Sequence, residues 1–83
     1  MKTKKLHNLK LKRIIHKIRK NKNILQQLSD TSILNKAKLV GELIELNSIH
    51  WRLYKYNKHY ILQVEWEDEN NAQKTKYFKI KLR

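Results

Sequence analysis

The chain has 83 residues, 20 Lys+Arg against 7 Asp+Glu, a formal charge of +13, one Gly, no Pro and no Cys. That length supports one core; the absence of Cys excludes thiolate, disulfide and Cys-based metal chemistry, and a single Gly leaves no glycine-rich phosphate loop. No apolar run approaches the roughly 20 residues that cross a bilayer, and the basic start lacks the apolar stretch of a secretory signal, so a cytoplasmic protein is expected.

The charge is uneven along the chain. Residues 1 to 29 carry ten Lys/Arg and no acid. Residues 1–8, with Lys2, Lys4 and Lys5, read as a flexible basic arm ahead of a single α+β domain over 9–83. From about residue 9 the pattern is helical. Leu11, Ile14, Ile15 and Ile18 follow the i, i+3, i+4, i+7 spacing of one helix face. At 100° per residue, Lys12, Arg13, His16, Lys17, Arg19 and Lys20 fall on the other face. Leu25 and Leu28 extend the apolar stripe, so one helix over about 9–29 is expected, with Asn21 to Asn23 as the place where it would break.

Asp30, Thr31 and Ser32 are good N-cap residues and open a second expected helix, 32–47. Ile33, Ala37, Val40 and Ile44 form its stripe, and Leu39, Leu43 and Leu46 widen it into the central buried helix. Gly41 inside it implies close packing on a neighbour.

After Asn47 and Ser48 the period changes to two. A hairpin turning at Asn57-Lys58 pairs Leu53 with Leu62, Trp51 with Val64 and Ile49 with Trp66, all on one face. Asn57 tolerates the positive φ of such a turn. Phe78, Ile80 and Leu82 make a third strand, with Trp66 opposite Phe78 and Glu65 opposite Lys79, or in a register shifted by two. The expected fold is α+β: N-terminal helices packed on a three-stranded antiparallel meander, 49–56, 59–67 and 76–83. A winged-helix variant would make 32–47 the recognition helix, with Lys36 and Lys38 near its start, and the hairpin the wing.

Ten bases without an acid in 29 residues point to phosphate, because solvated helix faces usually mix signs. The candidate nucleic-acid contacts are Lys10, Lys12, Arg13, His16, Lys17, Arg19, Lys20, Lys36 and Lys38. The second sheet face adds Arg52, Tyr54, Tyr56, Lys79 and Lys81, cations among aromatic rings on which bases stack. Arg83 falls on the same face. Four histidines, His7, His16, His50 and His59, lack metal-ligand spacing. Glu65, Glu67, Asp68 and Glu69 read as a solvated loop, so no metal or cofactor is expected. A membrane surface is disfavoured because the apolar stripe holds no Trp or Phe and is needed for the core.

The expected function is a small non-enzymatic nucleic-acid-binding protein, DNA rather than RNA, with no small-molecule ligand. The alternative is an accessory subunit that binds a larger nucleic-acid enzyme, such as a polymerase, primase, recombinase or helicase. Its size and Lys/Asn/Ile bias suit a phage or mobile element, and Tyr54, Ile61 and Tyr77 would be its protein contact. With Arg52, His50, His59, Tyr54 and Lys79 on the sheet, the chain is also similar in architecture and composition to ribonuclease toxins of the RelE/ParE type. It departs from them in lacking a strand before the helices and a catalytic tail.

Overall fold

The computed structural model describes residues 2–81, with side chains from Asn8 onward. One helix, α1 (Lys2–Lys20), precedes five strands: β1 (Leu25–Gln27), β2 (Lys38–Ile44), β3 (His50–Tyr56), β4 (His59–Glu67) and β5 (Gln73–Ile80). They form one antiparallel-paired sheet in the order β1-β5-β4-β3-β2. Short 3-10 turns occupy Lys22–Ile24 and Ser32–Lys36. The architecture is α+β, but it is one helix on a five-stranded sheet. The expected pair of helices on a three-stranded meander is overturned, and the winged-helix variant with it.

The helix starts at Lys2, ahead of residue 9, and ends where the sequence offered a break. The Asn21 N–H closes on the Lys17 carbonyl at 2.8 Å. The Asn21 backbone is then extended, and its side-chain oxygen accepts from the Asn23 N–H at 3.0 Å. A short polar side chain that bonds its own neighbours competes with the helix ladder. Leu25 therefore leaves the helical stripe and becomes a strand residue opposite Ile80.

The larger correction concerns residues 32–47. They hold a single 3-10 turn followed by β2, not a helix. β2 runs beside β3 with a bulge between Leu39 and Gly41, so Leu39 opposes Tyr54, Gly41 opposes Leu53 and Leu43 opposes Trp51. The extra residue places Val40 and Leu43 both against the core. A bulge thus stretches a spacing of two to three and counterfeits one turn of helix. Gly41 is buried, as close packing required, but in a strand against which α1 lies.

The hairpin has the expected register: Leu53 opposes Leu62 and Trp51 opposes Val64. Asn57 turns it with φ 54°. β5 sits four residues away from the expected pairing. Phe78 opposes Leu62, Trp66 opposes Lys74, and Glu65 opposes Thr75 rather than Lys79. An even shift keeps every side chain on its expected face, so alternation alone cannot detect it. Leu82 and Arg83, expected in this strand, lie outside the described residues.

The core lies between α1 and one sheet face. Leu11, Ile14, Ile15 and Ile18 meet Trp51, Leu53, Leu62 and Ile80. The opposite face is partly covered as well. β1 and β2 run parallel at opposite edges, so residues 28–37 must cross the sheet. Ile61 points away from α1, since Tyr60 and Leu62 on either side of it pack with the core, yet it is only 1 % exposed and stands outside the core cluster. The crossover carries half-buried Leu28, Ile33 and Leu34 and packs its 3-10 turn on β3.

Candidate nucleic-acid interface

The helix buries one stripe and turns the rest outward. Lys12, Arg13, His16, Lys17, Arg19 and Lys20 are all exposed. Among the described residues, Lys12, Arg13, Lys17 and Lys20 take part in no ion pair, whereas Arg19 does: its Nη2 donates to both Glu45 oxygens at 3.0 Å. Glu45 also accepts from the Trp51 indole Nε1 at 2.9 Å. That bond, with the Arg19 pair, lowers the Glu45 carboxyl below its ordinary value. Lys17, Arg19 and Lys20 sit in the last turn, where the helix dipole favours cations. That accounts for three charges at one end, not for Lys12 and Arg13 further along. The flank of α1 that faces β2 leaves an open groove of about 310 Å³ between Lys12, Ile15, His16 and Arg19 on one wall and Leu43 and Glu45 on the other.

The far sheet face has a different electrostatic character. Glu42, Arg52 and Gln63 lie in one cross-strand row, with His50 and Glu65 in the next. His50 Nε2 is 2.6 Å from Glu42 Oε2, and the Arg52 Nη1 donates to Glu65 Oε1 at 3.2 Å. Arg52 Nε reaches Glu42 at 3.4 Å. The hydrogen bond with His50 is the main reason the Glu42 carboxyl is held below its ordinary value. The Tyr54 hydroxyl donates to the oxygen of buried Gln63 at 2.9 Å, and burial pushes its pKa up. Arg52 and Tyr54 are therefore engaged within the chain. Ile61, expected in an exposed protein-binding patch with Tyr54 and Tyr77, is buried.

The candidate residues divide between two surfaces. Lys10, Lys12, Arg13, His16, Lys17, Arg19 and Lys20 share α1, and Lys38 opens β2 on the α1 side, opposite Lys55. Arg52, Tyr54, Tyr56 and Lys79 lie on the other face. Lys36 is exposed in the crossover turn, and Lys81 is exposed just past β5. His50 and His59 share a face but are separated by six ladder positions, roughly 20 Å at about 3.3 Å per residue. Among the described residues no group of three potential ligands can hold a metal ion.

Two residues missed in the sequence are Lys55 and Tyr60. Lys10 Nζ stands 4.7 Å from the centre of the Tyr60 ring and Lys55 Nζ 5.7 Å from it. The hairpin register already set Lys55 beside Tyr60; only the docking of α1 added Lys10. Compared with family models, curated proteins and solved structures, the chain matches none of them.

Proposed function

We propose that this chain is a small, non-enzymatic, cytoplasmic protein that binds nucleic acid through the outward face of α1. DNA is the favoured ligand. The observation that carries this reading is a row of exposed cations, Lys12, Arg13, Lys17 and Lys20, with no ion pair among the described residues. The acids of the sheet mostly face the other way, where Glu42 and Glu65 hold His50 and Arg52. Cations left without internal partners on one surface suit a polyanion, because binding releases its condensed counterions. The test is a binding series on single- and double-stranded DNA and RNA at low and physiological salt. Affinity falls steeply with salt, and the Arg13→Glu/Lys17→Glu/Lys20→Glu variant abolishes it without unfolding the domain. A flat salt response, or unchanged binding by the variant, overturns the reading.

A second reading, an accessory subunit of a nucleic-acid enzyme, is favoured by a separate feature. Leu39, Ile44 and Leu46 are 50 %, 66 % and 107 % exposed along and just beyond the edge strand β2. Exposed apolar side chains on a sheet edge mark a place where another chain can pair. A stable one-to-one complex that is lost on Ile44→Lys supports it. Both activities can coexist, since edge and helix face are different surfaces.

A further inference from the structure

We propose that Lys10 and Lys55, which both meet the Tyr60 ring, and Lys38, next in the same cross-strand row, form a discrete phosphate-binding subsite at the hairpin end of the sheet. Lys38, Lys55, Tyr60 and Ile80 are successive cross-strand partners, so they make one row across the sheet face on which α1 lies. Like charges set directly opposite in a ladder are destabilising, and Lys38 against Lys55 is such a pair. The helix then adds a third cation to the same row. Lys10 and Lys55 both place their ammonium groups against the one ring, at 4.7 and 5.7 Å from its centre. The two charges are thus no more than about one Debye length (~10 Å at 0.1 M salt) apart and repel each other.

None of the three forms an ion pair among the described residues. By the alternation of the strands, Glu42, Glu65 and Glu67 point to the other face. Lys10 is moreover partly buried as a residue. The Tyr60 ring offsets part of this by cation–π attraction and holds two lysine stems in place. What the arrangement lacks is an anion.

The chemistry of the donors selects that anion. Three ammoniums carried on α1, β2 and β3 offer point charges and no planar fork. They suit the several oxygens of a phosphate group better than the flat, two-oxygen carboxylate that arginine matches. The Tyr60 ring is occupied by cations, so the subsite holds phosphate and not a stacked base. The ligand's identity as part of a nucleic acid rests on the function proposed above; the site itself rests on this row of residues.

The test uses the full chain and the Lys38→Gln/Lys55→Gln variant, which keeps most of each stem and removes the repulsion. Inorganic phosphate is titrated while the Tyr60 ring resonances are followed by NMR. Duplexes with and without a 5′-phosphate are then bound over a salt series. The expected results are a saturable Tyr60 shift that the variant abolishes, and a log–log salt slope smaller by about one. Affinity falls about tenfold at 0.1 M. A preference for the 5′-phosphorylated duplex assigns the subsite to a terminal phosphate, and no preference assigns it to the backbone. If phosphate shifts Tyr60 but no duplex binds, the subsite stands and the nucleic-acid function falls. If duplexes bind while Tyr60 does not respond and the variant keeps the full slope, the subsite is overturned.

Discussion

Glu45 shows how much one side chain carries here. It accepts the indole N–H of Trp51 and pairs with Arg19, so it ties β3 to the end of α1. Replacing it with Ala leaves the indole of a nearly buried Trp without its acceptor, at a cost of about 1–3 kcal/mol. Glu45→Gln keeps an oxygen for the indole and loses only an ion pair, which at a surface contributes about 0–1 kcal/mol. Urea unfolding of the two variants should therefore separate the hydrogen bond from the charge. Both Glu45 and Glu42 are held below the ordinary glutamate value of 4.5. In the unfolded chain they take up protons at a higher pH than in the folded one. Their stabilisation is complete above pH 4.5 and is lost as the pH falls through their lowered values. The acid limb of the unfolding curve should flatten in Glu45→Gln; an unchanged acid limb would contradict the assignment.

At the scale of elements, β2 exists because β3 needs a neighbour. A three-stranded meander under α1 would leave the backbone groups of β3 unpaired at the margin of the core. Pairing with 38–44 satisfies them, and Leu25–Gln27 does the same for β5. The helical spacing within 32–47 joined residues of a 3-10 turn to those of a bulged strand; the bulge accounts for Val40 and Leu43, while Ile44 of the expected stripe is exposed. Gly41 marks where α1 and β2 approach. A side chain there points at the helix, so Gly41→Leu should lower stability by about 1–3 kcal/mol through overpacking. Gly41→Ala should have a smaller effect. Equal and negligible effects in a denaturant titration would show that α1 does not pack where the structure puts it.

The whole molecule is electrostatically two-faced. The surface carrying α1 holds Lys12, Arg13, Lys17 and Lys20 together with the Lys10–Lys38–Lys55 row, while the opposite face matches Arg52 and His50 with Glu42 and Glu65. A net charge of +13 on a 10.2 kDa chain repels itself. Raising the ionic strength from low to physiological should therefore raise the melting temperature of the free protein while weakening its hold on nucleic acid. The opposite responses distinguish self-repulsion from ligand attraction. A melting temperature that falls with salt would mean that internal ion pairs, such as Arg19–Glu45, outweigh the repulsion.

The amphipathic stripe of α1, the hairpin register and the turn at Asn57 were all legible in the sequence, because each depends on residues close together in the chain; Asn21 to Asn23 offered a break, but a stripe continuing to Leu28 left open whether the helix stopped there. The same local periodicity showed which of its cations lie outward. The parts that were not legible depend on distant partners. Nothing within 32–47 reveals a bulged strand until β3 is present to pair with it, and nothing within 25–27 competes with a helix until β5 offers an edge. The β5 register needed packing as well as alternation, since a shift by four preserves every face. The charges followed the same division. Local sequence determined that the first third of the chain is basic. Tertiary structure alone decided that Arg52 meets carboxylates while Lys10 and Lys55 meet over one ring, because only folding sets the distances through which charges act.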